Sequence, residues 1–155
     1  MLELPGTRMT PMVRLAALTN YLEVARQVGL DPQRQLSQVG LSASLLNNPE
    51  QRIPTATAVA LLEESARASA CETFGLRMAE SRQLADFGLI SLLLTHQATL
   101  HDALDTIVQY RHLINDSLAL HVDAEGRTVI LREELITVPP MPVRQGIELA
   151  VGVLY

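Results

Sequence analysis

The chain has 155 residues; 12 are arginine, none is lysine and 17 are acidic, for a formal charge of −5, with 48% apolar and 19% charged residues. That is a globular composition, not the apolar-poor, charge-rich signature of disorder, and the length suits one domain that needs no disulfide or metal staple. A single cysteine, Cys71, excludes an internal disulfide and a multi-thiolate zinc site, and net acidity argues against a bare nucleic-acid binder. The longest nearly apolar run, Phe87 to Leu94, is far short of the ~20 residues that span a bilayer. Met1-Leu2-Glu3-Leu4 lacks the basic region that opens a signal peptide. The expectation is a soluble cytoplasmic domain with no membrane partner.

Residues 1–11, with two prolines and a glycine, read as a lead-in to a domain over 12–155. Leu15, Leu18, Leu22 and Ala25 form an amphipathic stripe that predicts a helix from Met12 to Val28, closed by Gly29. Asp31-Pro32 caps and opens a short helix to Val39, and Ser42 to Leu46 forms another. Thr55 is the expected N-cap of a helix over Ala56 to Ala70, with Val59, Leu62 and Ala66 buried. A further helix spans Phe74 to Ser81.

Phe87 to Gln97 reads as a buried helix with Asp86 as its cap. Thr99 and Asp102 resemble a capping box that opens a helix to Ile114, with Leu100, Leu104, Ile107 and Ile114 inward. The period then changes from helical to alternating. Leu118–Val122 and Thr128–Glu134, divided by Glu125-Gly126, predict an antiparallel hairpin with a loop of about three to five residues. After Pro139-Pro140-Met141-Pro142 a last helix begins near Val143, with Ile147, Ala150, Val151 and Leu154 apolar. Its unterminated end predicts a domain truncated at that end. The fold class expected is α+β: mostly helical, with a small antiparallel hairpin or sheet between helices.

The chemistry-bearing residues mostly lack a pattern. His96, His101, His112 and His121 make no metal-ligand motif. Ser91 and His96 stand without a nucleophile elbow. The acidic neighbour Glu72 raises the Cys71 thiol pKa and does not activate it. Gly75, Gly88 and Gly126 form no dinucleotide or phosphate loop. Glu63-Glu64 and Glu133-Glu134 read as solvated faces. No catalytic residue, metal site or cofactor is expected.

One polar group is less bland. Tyr110, Asn115 and their neighbours crowd a helix end, with His121 and Arg132 on the following hairpin. A ligand cavity is expected between the hairpin Leu118–Leu135 and the two preceding helices. Ile90, Leu94 and Ile107 would form its wall, and His96, Tyr110, Asn115, His121 and Arg132 its polar contacts. Arg132, amid Val129, Ile130 and Leu131, needs an anionic partner if buried. Glu133, Glu134, Asp116 or an anionic ligand would supply it.

Several strings then occur in a telling order: Arg52-Ile53-Pro54, Phe74-Gly75-Leu76-Arg77-Met78-Ala79, Phe87-Gly88-Leu89, Leu92-Leu93-Leu94, Thr99-Leu100 with Ala103-Leu104, Tyr110 and Asn115, and Arg144-Gln145 with Glu148-Leu149-Ala150. Together they resemble the N-terminal effector-binding, arabinose-binding-domain-like region of AraC-type bacterial transcription regulators. The resemblance implies a small-molecule effector as partner, a domain that often dimerises, and DNA contact only through a C-terminal helix-turn-helix domain absent from this chain; the apolar face Ile147, Ala150, Val151 and Leu154 of the last helix predicts a two-fold homodimer. It supplies no ligand motif, so the candidate site rests on polarity and placement. Two other readings stand beside it. One is a small cytosolic enzyme. The other is a direct DNA binder through the helix pair around Gly29, which offers only Gln33, Arg34, Gln35 and Gln38 in its second helix.

Overall fold

Met12–Arg14 is a strand, β1, and not the start of a helix. It pairs antiparallel with β2, Arg52–Pro54, placing Val13 opposite Ile53. The partner lies some 40 residues away, so local periodicity carries no trace of it. A 3₁₀ turn follows at Leu15–Leu18, and Asn20, at φ +64°, then separates it from helix α1, Tyr21–Gln27. The expected single helix is therefore three elements. Leu15, Leu18 and Ala25 of its stripe are nevertheless buried, together with Tyr21 and Val24. The computed structural model describes residues 9–155, and the first eight residues of the expected lead-in lie outside the described residues.

Asp31 caps helix α2, Pro32–Gln38, accepting from the Gln33 and Arg34 amides at 3.0 and 3.3 Å. A 3₁₀ turn, Ala43–Asn47, leads to β2. Helix α3, Thr55–Ser69, starts on Thr55 itself, with Pro54 at the cap position. Thr55 is not the cap. Its hydroxyl accepts from Ser117 Oγ at 2.8 Å, a long-range bond that displaces the local one. Helix α4, Phe74–Glu80, follows as the sequence predicts.

These elements form the core. Tyr21, Leu36, Leu61, Phe74 and Met78 are fully buried, and Val59, Leu62 and Ala66 face inward as expected. The Tyr21 and Phe74 rings lie 6.0 Å apart, tilted at 60°. The Tyr21 hydroxyl is satisfied by Ser65 Oγ at 2.7 Å.

The expected helix Phe87–Gln97 is broken. Leu84–Phe87 is a 3₁₀ turn, and helix α5 is only Leu89–Leu94. Gly88 divides them at φ +64°, a backbone region that side-chain-bearing residues avoid, and packs directly on the Arg14 guanidinium. Asp86 belongs to the turn, accepting from the Gln83 amide at 3.0 Å, and does not cap α5. Nor is α5 a buried helix: Ile90 is 2% exposed, but Leu89 is 77% and Leu92 63% exposed.

Thr99 caps helix α6, Leu100–Tyr110, accepting from the Asp102 amide at 3.1 Å. Leu104 is buried as expected, whereas Leu100 is exposed. A 3₁₀ turn, Arg111–Leu113, ends this segment.

Strands β3, Leu118–Glu125, and β4, Thr128–Leu135, form the predicted hairpin. The loop has two residues, fewer than expected, with Gly126 at φ +62° in its first position. Leu118 pairs with Leu135, Leu120 with Glu133 and His121 with Arg132. Successive side chains alternate between faces. Leu118, Leu120 and Glu133 thus share one face, and His121 and Arg132 the other.

Helix α7, Arg144–Leu154, closes the structure against α3, α4 and β4. Two glycines allow the close crossing with α4. A Cβ on Gly75 would stand 2.1 Å from the Gln145 carbonyl oxygen, and one on Gly152 would stand 2.6 Å from the Ala79 Cβ. The buried Gln145 side chain accepts from the Gly75 amide at 2.8 Å and donates to the Glu72 carbonyl at 2.9 Å. Glu63 accepts from the Gln145 backbone amide at 2.7 Å, so it fastens the α7 N-terminus and is not merely a solvated acid.

Candidate functional site

Where the hairpin meets the helical core, a cavity of about 140 Å³ remains. Five stretches of chain wall it. Leu118, Leu120 and Glu133 come from the inner hairpin face, and Ile107, Arg111, Ile114 and Asn115 from α6 and the segment after it. Val13, Arg14, Ala16 and Ala17 come from β1 and its 3₁₀ turn. Gly146, Leu149, Ala150, Val153 and Leu154 come from α7, with Arg82, Gln83, Asp86 and Phe87 closing one side. The wall is mainly apolar with a few convergent polar groups, the usual make-up of a small-molecule site.

Local structure holds the polar groups in place. The Arg82 guanidinium donates to the carbonyls of Ala16 and Ala17 in the first 3₁₀ turn, the former also accepting from the Thr19 amide at 3.1 Å. Arg82 Nε is buried without a partner among the described residues. The Asp86 carboxylate lies 3.9 Å from the guanidinium. Burial lowers the Arg82 pKa from its ordinary value, and Asp86 opposes that shift. Arg14, itself buried, donates to both Glu50 carboxylate oxygens and to the Asp86 carbonyl.

Glu133 stands apart from these pairs. Its Oε2 is buried with no partner among the described residues. Burial raises its carboxyl pKa from 4.5 to about 7, because desolvation disfavours the charged form. Reading Glu133 and Glu134 alike as solvated is therefore corrected for Glu133. Strand alternation puts them on opposite faces, and Glu133 takes the side of Leu120.

The five polar residues singled out from sequence are not gathered around this cavity. Asn115 lines it, and its Oδ1 accepts from the Ser117 amide at 2.8 Å. Tyr110 is half-buried but does not line the cavity. His96 is exposed just past α5. His121 and Arg132 lie exposed on the outer hairpin face, where Arg132 pairs with Asp123 at 2.9 Å and not with Glu133, Glu134 or Asp116. Asp116 instead pairs with Arg52 at 3.0 Å. Of the expected apolar wall, Ile107 lines the cavity, and Ile90 and Leu94 do not.

Sequence reasoning missed Arg14, Arg82, Glu133 and the α7 wall. One signal was present: Glu133 has the parity of Val129 and Leu131, not that of Arg132. The apolar stripe of α7 is largely spent within the chain. Ala150 and Leu154 line the cavity, Ile147 is half-buried, and Val151 remains 48% exposed. Among the described residues no cluster of three or more His, Cys, Asp or Glu could hold a metal ion. No described helix is long and apolar enough to cross a membrane.

Comparison with known proteins adds two findings. The sequence profile described as the arabinose-binding domain of AraC transcription regulator, N-terminal, matches residues 29–155. The HTH-type transcriptional regulator VirS of Mycobacterium tuberculosis, in strains CDC 1551 / Oshkosh and ATCC 25618 / H37Rv, is 28% identical over 143 residues. Those residues are 91% of this chain and 42% of each relative, so the chain spans less than half the length of the curated relatives it matches. The β1 side of the cavity lies before the start of the profile match.

Proposed function

The chain belongs to the family of N-terminal arabinose-binding domains of AraC transcription regulators, and on that premise we propose that its cavity binds a small-molecule effector. The observation that carries this reading is the mainly apolar cavity of about 140 Å³ at the seam of hairpin, α6 and α7. Each wall comes from a different part of the chain, so a ligand there bears on all of them at once. Occupancy would change how α7 sits, and α7 carries the C-terminal end of the chain. An attached helix-turn-helix domain would feel the change, in the cytoplasm, and DNA contact would belong to that domain. The role is sensing and involves no catalysis.

A small-molecule library screened by thermal shift against the chain tests the reading. Ala150 lines the cavity, and Ala150→Phe fills it. Stabilising compounds are expected to lose their effect in a folded Ala150→Phe variant. Compounds that keep their full effect there would put the binding site elsewhere.

The same domain is proposed to form a homodimer. The support is the exposed leucines of α5, Leu89, Leu92 and Leu93, and exposed Leu100 at the start of α6. Sedimentation is expected to show a dimer that Leu92→Arg disrupts. A monomer of 17.0 kDa at high concentration would reject it.

A further inference from the structure

The charges around the cavity differ in how they are paired. Arg14 is engaged by Glu50 and the Asp86 carbonyl. Arg82 is engaged by two carbonyls and faces Asp86 at 3.9 Å. Arg111 donates to the Val108 carbonyl. Glu133 has no such partner among the described residues, and its buried Oε2 accepts nothing. A half-buried carboxyl with one oxygen sealed from solvent and no internal partner offers an acceptor to a group that arrives from outside.

We propose that the cavity takes a ligand with a small apolar body and a cationic amine head, and that the amine pairs with the Glu133 carboxylate. This rests on the reading of the cavity as the effector site. The opposite polarity, an anionic head on the arginines, is less well served. Both terminal nitrogens of Arg82 already donate to carbonyls, and Asp86, 3.9 Å from the guanidinium, would repel the incoming anion. An amine at Glu133 meets an acceptor that nothing else uses. The body must be small: about 140 Å³ is close to the ~150 Å³ of an apolar cavity that admits benzene. A single ring or a short branched chain fills it.

The proposal links binding to pH. The Glu133 carboxyl titrates at about 7, and only its ionised form pairs with the cation. An amine with an ordinary pKa near 10 stays charged through this range. Affinity for the amine is expected to rise about tenfold from pH 6 to pH 8, following the ionised fraction of Glu133.

The test titrates the chain with benzylamine, benzyl alcohol, benzoate and toluene, read by thermal shift and amide chemical shifts at pH 6, 7 and 8. Benzylamine is expected to bind most tightly at pH 8, to perturb residues around Leu120 and Ala150, and to lose its advantage over benzyl alcohol in Glu133→Gln. Glu133→Asp keeps the carboxylate and is expected to retain the amine preference at lower affinity, so the question stays decidable if the Gln variant does not fold. Benzyl alcohol or benzoate binding in the cavity as tightly as benzylamine at pH 8 overturns the amine proposal alone. So does an amine affinity that is flat with pH. If none of the four perturbs the cavity residues, the reading of the cavity as a small-molecule site falls, and the amine proposal falls with it.

Discussion

The two halves of the molecule are packed very differently. Among the described residues the buried apolar cluster is built from residues between Val13 and Ala79 and Leu149 of α7, with Val153 packed against it. The segment from Arg82 to Leu135 contributes nothing to that cluster, although it is rich in leucine. Its buried apolar residues, Ile90, Leu104 and Leu120, stand singly, while Leu89, Leu92, Leu93, Leu100 and Leu131 are exposed. One half is therefore a close-packed scaffold, and the other a cover held at its seams. The cavity lies on the boundary, where a ligand can add contacts that the cover lacks on its own. A low density of buried contacts is the physical basis of a movable region.

Substitutions on the two sides test this contrast. Phe74→Ala in the scaffold is expected to cost the most, about 3–5 kcal/mol, because the ring is fully buried against Tyr21. Urea unfolding of the variant checks it, and a loss under 1 kcal/mol would dissolve the distinction between the halves. Gly75→Ala comes next, at about 2–3 kcal/mol, since its methyl would meet the Gln145 backbone and push α7 away. The same displacement should widen the cavity and reduce ligand-induced thermal shifts.

Glu133→Gln probes the seam itself. Burial raises the Glu133 carboxyl pKa from 4.5 to about 7. Between those values the unfolded chain loses this proton and the folded one keeps it, so stability falls as pH rises from about 4.5 to 7 and then levels off. The variant lacks that decline. At pH 8 it is expected to be more stable than the parent by about 1–2 kcal/mol, with allowance for partial solvent contact, and at pH 4 to be equal to it. Urea midpoints at the two pH values decide the point; equal differences at both would show that the carboxyl is well solvated. The smallest effect is expected on the cover. Leu92→Ala should change stability by less than about 0.5 kcal/mol, since its side chain leaves little buried area to lose. A larger loss in urea unfolding, at a concentration where the chain is monomeric, would show that α5 is packed more tightly than its exposure indicates.

Features governed by neighbouring residues were legible without the structure. Asp31-Pro32 and Thr99 with Asp102 set their helix starts through bonds spanning two to three residues. The β3–β4 hairpin followed from strict alternation around Gly126, and the family resemblance from the order of short strings along the chain. The site was legible in its neighbourhood and not in its members. The hairpin and α6 do form walls, and Ile107 and Asn115 do line the cavity. His121 and Arg132 were grouped with them because they are close in sequence, yet the hairpin turns both outward.

Steric and hydrogen-bonding rules that act within a few residues were enough to specify the α+β class, the starts of α2, α4 and α6, and the β3–β4 hairpin. Long-range packing set the pairing of Met12–Arg14 with Arg52–Pro54, the bond from Ser117 to Thr55 in place of a helix cap, and the reach of Arg82 to the carbonyls of Ala16 and Ala17. Each is a bond between groups more than 35 residues apart, chosen by which surfaces remained unsatisfied once the helices had formed. The cavity belongs to the same class. It is bounded by five separate stretches of chain, and no local pattern records a space that exists only where they fail to meet.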